Sequence, residues 1–196
     1  MRPDAFSAGQ FEHKMISVMC PNRRRMEAVD VRLINADEAY TDAMLDMARE
    51  FERSSEGGYQ EALDDVSAYF RRLRRWAAGG DLPSHVVQEN VFWLVHDGRI
   101  MGLIKLRHRL NEALLIEGGH IGYGVRPSER RKGYGTMMLR MVLEKARALG
   151  LERVLLTCDA DNVASAKIIE SNGGIKSGTS ISPRTGKEIF QYWIEL

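Results

Sequence analysis

Cysteine is almost missing from this chain. It has two, Cys20 and Cys158, in 196 residues. Two thiols are too few for a disulfide framework, and Cys158, inside the apolar run Val154-Leu155-Leu156-Thr157-Cys158, reads as a small buried residue. Long apolar runs are missing as well: no stretch approaches the roughly 20 residues that span a bilayer. No apolar leader core follows Met1, so the expected location is cytoplasmic. An excess of one charge is also absent. Lys and Arg number 28 against 27 Asp and Glu, a formal net charge of +1. No overall field draws the chain to nucleic acid or to a membrane surface. Two nucleotide signatures fail too. No Gly-Lys-Ser/Thr closes a P-loop, and Met138 stands where a dinucleotide fingerprint needs its third glycine.

What is present suits one soluble domain. The apolar fraction is 44% and the charged fraction 28%, ordinary for a globular protein. Residues 1–25 break this pattern with Pro3, Gly9, Pro21 and the run Arg23-Arg24-Arg25, and no periodicity persists there. They read as a flexible tail, with Met26 as a candidate start, and 26–196 as the domain. An alternating strand is expected over 29–34. Asn35 with Glu38 resembles a capping box opening a helix to Arg53. A polar break over 54–59 precedes a second helix over 61–78, with Arg71-Arg72 and Arg74-Arg75 on its wet face. Strands over 91–96 and 100–107 are joined by Asp97-Gly98, a strong hairpin signal. A connection over 111–119 leads to a strand over 119–125. A helix over 133–149 stops at Gly150. Then come a strand over 153–158, a helix over 162–172, and two strands, 175–182 and 187–194.

The most informative stretch is Val125-Arg126-Pro127-Ser128-Glu129-Arg130-Arg131-Lys132-Gly133-Tyr134-Gly135-Thr136. A strand runs into three consecutive cations and two glycines, and a helix starts there. Glycines let an anion reach the backbone with no Cβ in the way. The first amides of the helix lack intrahelical partners and point out of its positive end. Such a place holds a pyrophosphate. The pattern Arg-x-x-Gly-x-Gly, carried by Arg130, Gly133 and Gly135, resembles the acetyl-CoA signature of the GNAT (Gcn5-related) N-acetyltransferase superfamily. Some thirty residues on, Asp161-Asn162-Val163-Ala164-Ser165 with Asn172-Gly173-Gly174 resembles the second segment of that family. The resemblance runs from about Val29 to Leu196.

The resemblance implies an α/β (α+β) fold. It would have a mixed, largely antiparallel central sheet of six to seven strands and helices on both faces. It implies an acetyl-CoA-dependent N-acetyltransferase, in a poorly characterised bacterial branch, with acetyl-CoA as co-substrate and no metal. The strand before the glycine loop would splay from its neighbour and expose the backbone of Tyr123, Gly124 and Val125 to the pantetheine arm. Arg130, Arg131, Lys132, Gly133, Tyr134, Gly135 and Thr136 would hold the pyrophosphate, and Asn162 and Ser165 the amide and sulfur end.

Transfer to an amine needs a base, a polarised thioester oxygen and help for the thiolate. Many family members carry a glutamate where this chain has His120. A histidine with an ordinary pKa near ~6.5 suits a base. The sheet edge or the Gly118-Gly119 loop could equally satisfy His120, and Glu117 is the alternative. His108 and Asn111 follow the preceding strand and could face the same cleft. The tyrosine acid that many members place seven residues after the asparagine is absent, because Ile169 is there. Ser165 matches the serine found three residues after the asparagine in the branch that acetylates ribosomal protein N-termini. Tyr192 is a weaker stand-in. The acceptor would lie between 51–59, with Glu50, Glu52 and Glu56, and 180–187. It is expected to be a primary amine of a small molecule or peptide, with no nucleic acid or membrane partner and a homodimer as a candidate assembly. The alternative is a non-catalytic acyl-CoA sensor.

Overall fold

The structure, a computed structural model, describes residues 30–54 and 57–196. The expected tail over 1–25, the start at Met26, Cys20 and Glu56 lie outside the described residues.

Strand β1 (Val31–Asn35) is followed by helix α1 (Thr41–Arg53). Asn35 is not its cap. It pairs with Phe92 inside the first ladder, so its backbone stays extended. Asp37 does the capping, accepting from the amide of Ala39 at 2.8 Å and opening one 3-10 turn before α1. The helix expected over 61–78 is two helices, α2 (Gln60–Asp64) and α3 (Val66–Ala78). Asp65 between them is extended, and its carboxylate accepts from the amide of Ala68 at 2.8 Å. A short polar side chain competes with the helix for its own backbone, so it ends one helix and starts the next. Strands β2 (Glu89–His96) and β3 (Arg99–Arg107) form the hairpin. The connection over 111–119 contains a short helix, α4 (Glu112–Ile116), capped by Asn111. Then come β4 (Ile121–Val125), α5 (Tyr134–Ala148), β5 (Arg153–Asp159), α6 (Val163–Glu170), β6 (Ile175–Ile181) and β7 (Glu188–Glu195).

Among the described residues, seven strands form two sheets, ordered β1-β2-β3-β4 and β5-β7-β6, and every ladder within them is antiparallel. The expected central sheet is therefore divided between β4 and β5. Side chains alternate across β2: Phe92 and Leu94 enter one core, and Val91, Trp93 and Val95 the other. The first core packs against Met138, Leu139, Val142 and Ala146 of α5. The second packs against Met44, Met47, Ala48 and Phe51 of α1, with Tyr69, Phe70 and Leu73 of α3. In α1 those four residues follow the i, i+3, i+4, i+7 spacing of one helix face. Each large apolar side chain so buried contributes about 1.5–3 kcal/mol relative to exposure. Helices thus lie on both faces. Arg71 and Arg74 are on the wet face of α3, as expected, at 63% and 61% side-chain exposure.

The two sheets meet at one place. The amide of His120 donates to the carbonyl of Leu155 at 2.7 Å. Gly119 just before it has φ +62, and a Cβ there would lie 2.2 Å from the Leu155 oxygen. Only glycine allows this approach. Gly119→Ala should cost about 3 kcal/mol or more in urea unfolding, because left-handed strain adds to a backbone collision. Gly150→Ala, at φ +81 in open space, should cost only about 1–2 kcal/mol.

Candidate active site

Beyond His120, β4 and β5 share no ladder, and beside β4 opens a groove of about 600 Å³ whose far wall is α6. That volume lies in the range of small-molecule sites. Its walls are Tyr123, Gly124, Val125, Arg130, Arg131, Gly133, Tyr134, Gly135, Thr136, Asn162 and Ser165, joined by Ala164, Lys167 and Ile168. Every cofactor-binding residue expected from the sequence is there except Lys132. Its amine pairs with Glu129 at 2.9 Å instead. Ala164, Lys167 and Ile168 were not expected. Their i, i+3, i+4 spacing along α6 was the available signal.

At one end the backbone is shaped for an anion. Arg131 has φ +61 and Gly133 φ +84, and alternating hands of this kind turn successive amides inward as a nest. The N-terminus of α5 opens beside them. Gly135 has a different task. A Cβ there would lie 2.6 Å from Ile168 Cδ1 and 3.3 Å from Val125 Cγ2, so its bareness lets α6 close against α5. The hydroxyl of Tyr134 meets His96 Nδ1 at 2.9 Å and ties the first turn to the end of β2.

The loop stands on a buried ion cluster. Arg126 is 3% exposed, with Nε 2.6 Å from Glu50 and Nη2 2.5 Å from Asp46, both on α1. Glu50 also accepts from the amide of Ser128 at 2.6 Å. Burial opposes its charge, yet the Ser128 and Arg126 bonds hold its carboxyl below the usual range. Arg99 grips Glu129 at 2.6 Å. Glu50 is therefore loop support, not the acceptor wall that the sequence suggested. The wall beside it is aromatic. Phe51 and Tyr59 have ring centroids 4.9 Å apart, and Phe51 Cζ would lie 3.3 Å from a Cβ at Gly124. Glu52 accepts from the amide of Tyr59 at 2.9 Å.

At the other end, Asn162 caps α6 by accepting from the amide of Ser165 at 3.0 Å. Ser165 Oγ lies 2.8 Å from the Tyr123 hydroxyl. Ile169 is fully buried core. Tyr192 is 2% exposed and donates to Glu170 at 3.3 Å, and it does not line the groove. Glu117 accepts from the Ser182 hydroxyl at 2.7 Å and from Arg184 at 3.0 Å. Burial opposes its charge, but these bonds hold it below the usual carboxylate range. Asn111 caps α4 and binds the carbonyl of His85, and His108 meets Asn90 at 2.6 Å. Neither lines the groove.

His120 is 8% exposed, and its Nδ1 accepts from the amide of Leu155 at 2.9 Å. Backbone and side chain of one residue thus bracket Leu155. Burial, with Arg107 nearby, lowers its pKa to about 4. Nδ1 cannot take a proton and keep that bond, and the neutral ring then carries its hydrogen on Nε2.

A groove between β4 and α6, closed at one end by an amide nest on a helix N-terminus, is shaped to hold a phosphate-bearing ligand. The chain belongs to the GNAT acetyltransferase family: the Acetyltransferase (GNAT) domain matches residues 29–175. Acetyl-CoA is the co-substrate of such enzymes, and the expected N-acetyltransferase class holds. No curated protein matches the sequence. Solved structures share the fold at low identity. Mycobacterium smegmatis RimJ in complex with CoA-disulfide has a TM-score of 0.65 at 18% identity, over 84% of this chain and 81% of its own. An acetyltransferase from Salmonella typhimurium that modifies the N-terminal serine of a 50S ribosomal subunit protein gives 0.60 at 15%, over 85% and 95%. A spermidine N-acetyltransferase SpeG chimera from Vibrio cholerae and hSSAT gives 0.58 at 13%, over 84% and 94%. Among the described residues, no helix is long and apolar enough to cross a membrane.

The His120 bracket has a pH signature. Above about pH 6.5 the ring is neutral in both folded and unfolded chains. Between about 6.5 and about 4 the unfolded chain binds a proton that the folded one refuses, so stability falls as pH falls. The full loss is ~3 kcal/mol. His120→Asn keeps an acceptor at the δ position without the titration. From pH 7 to pH 4 the wild type should lose ~3 kcal/mol more unfolding free energy than this variant. Parallel pH curves would mean that the ring titrates normally.

Proposed function

We propose that this protein transfers the acetyl group of acetyl-CoA directly to a primary amine of a small molecule or a peptide. One observation carries the reading: every expected cofactor-binding residue but Lys132 lines a single groove between β4 and α6. In this reading the pyrophosphate rests on the nest at Arg131 to Gly135. The arm runs along β4 toward Asn162, and the thioester oxygen meets a β4 amide. The amine enters between Phe51 and Tyr59 on one side and the turn after β6 on the other. Solved relatives act on spermidine and on a protein N-terminus, and both acceptors are amines.

The amine nitrogen attacks the carbonyl carbon, the C–S bond breaks, and the electron pair leaves on sulfur. His120 fixes the junction of the two sheets rather than taking the proton, because its Nδ1 is occupied. Glu117, held charged by Ser182 and Arg184, is too weak a base to deprotonate an ammonium but attracts one. The proton goes to water, and the free amine is the reactive form.

The pH profile tests this. With acetyl-CoA saturating, thiol release should give kcat/KM rising with pH up to the pKa of the acceptor itself. That is about 8 for a peptide α-amine and about 10.4 for a lysine-like amine. A limb fixed near neutrality for both acceptors would reveal a protein base instead. Gly133→Val, which places a branched side chain at φ +84 beside the phosphates, should weaken CoA binding on the order of 10-fold or more. Unchanged affinity in that folded variant would move the phosphates elsewhere, and a panel with no acetylated amine would leave a binding protein.

A further inference from the structure

Acetyl transfer leaves a thiolate, and the α6 position where many family members carry a tyrosine acid holds Ile169, which is core. The other sequence candidate, Tyr192, is turned to Glu170. A third tyrosine is in the groove. Tyr123 leaves β4 two residues before Val125, so it stands roughly 7 Å along the strand from the phosphate loop. Its hydroxyl is 2.8 Å from Ser165 Oγ and 3.3 Å from the Ser165 carbonyl. Both side chains line the groove.

We propose that Tyr123 is a positioning residue: it holds the Ser165 hydroxyl so that its O–H faces the sulfur of bound CoA and stabilises the departing thiolate. The inference rests on the acetyl-transfer reading above. A serine hydroxyl has one proton and two lone pairs, and alone it turns among three staggered wells. The two hydroxyls can bond in either direction; with Tyr123 as donor, the bond occupies one serine lone pair and leaves the serine proton for the sulfur. The Ser165 amide is already bound to Asn162, which fixes the backbone under that hydroxyl. Burial raises the thiol of Cys158 on β5 and a hydrogen bond from Ser165 partly offsets that rise; the thiol stays neutral, so it holds the Ser165 hydroxyl less strongly than a thiolate would. Lys167 is the cation on the same helix.

Tyr123 gives up no proton. Burial pushes its phenol up to about 12, and such a group cannot protonate a thiolate whose thiol titrates near about 8.5. The pair acts as an oriented dipole, effective because it is in place before charge develops. The C–S bond breaks, sulfur keeps the electron pair, Ser165 donates a hydrogen bond to it, and water supplies the proton.

The test uses Tyr123→Phe, which keeps the ring, with Ser165→Ala and the double variant, each checked for an unchanged melting curve. The thiol of bound CoA is titrated by its ultraviolet thiolate absorbance. It should titrate lowest in the wild type and rise alike in both single variants, with no further rise in the double. With an amine acceptor, kcat for Tyr123→Phe should fall on the order of 10-fold. KM for acetyl-CoA should stay within about twofold, because the interaction strengthens only as the bond breaks. The double variant should match Ser165→Ala alone, since Tyr123 acts only through it. An unmoved thiol titration in Tyr123→Phe overturns the proposal, as does a double variant that loses the sum of both effects. If CoA binds and no amine is acetylated, the titration alone decides. If the wild type does not bind CoA, the acetyl-transfer reading fails first and takes this inference with it.

Discussion

Everything in this molecule that faces a ligand depends on how β4 meets β5. The contact at His120 and Leu155 is two hydrogen bonds, one from each backbone amide, and one of the acceptors is a side chain. A longer ladder would close the sheet and leave no groove. No contact at all would leave β4 an open edge beside an unanchored loop. Gly118 and Gly119, at φ +107 and +62, bring the chain across Leu155 at a distance that a Cβ would forbid. The imidazole then occupies the place of a carbonyl that β4 itself does not present there. A buried neutral histidine is the right group for this task. It offers a lone pair without bringing a full charge into the core.

The far end of the groove relies on charge. Arg126 is buried between two carboxylates of α1, and its Nη1 has no hydrogen-bond partner among the described residues. Desolvating such an ion costs free energy that the pairing roughly returns, so the cluster is weak as net stabilisation. It is strong as a locator. Glu50 binds both the Arg126 side chain and the Ser128 amide, so the anion loop has one register against α1. The next residue, Phe51, lies over Gly124. One turn of α1 therefore sets the distance between the phosphate nest and the aromatic wall. A rigid nest pays little ordering cost when an anion arrives.

Local chemistry made the cofactor half legible in the sequence. Arg130, Gly133, Gly135 and Thr136 sit together because the chain is continuous there, and Asn162 and Ser165 share a single helical turn. The rest depended on partners distant in sequence. Lys132 looked like a third phosphate cation until Glu129, held by Arg99 from β3, claimed it. Glu50 looked like part of the acceptor wall until Arg126, 76 residues on, engaged it. His120 occupied a base's position in the sequence, yet its nitrogen is aimed at a backbone amide 35 residues away. Element types were legible except in the connection over 111–119, which holds α4, and where one aspartate outweighed periodicity, at Asp37 and Asp65. The splay of β4 was expected only through the family resemblance and the full division into two sheets was not, since nothing in the alternation of β4 or β5 distinguishes a splayed strand from a paired one.

The division into two sheets also makes the folded population depend on supply. Among the described residues, the β1–β4 meander is tied to the β5–β7–β6 unit where Gly118 and His120 meet Thr157 and Leu155, with α5 and α6 packed across the rest. A molecule lying in the cleft touches β4, α5 and α6 at once and adds cohesion there. A bound species that the unfolded chain cannot hold raises stability by RT ln(1 + [L]/Kd), about 2.7 kcal/mol at a hundredfold excess over Kd. Starved of that ligand, the protein would expose the amides near the splay to hydrogen exchange sooner than those at the centre of β2 and β3, and turnover by proteases would follow the same order.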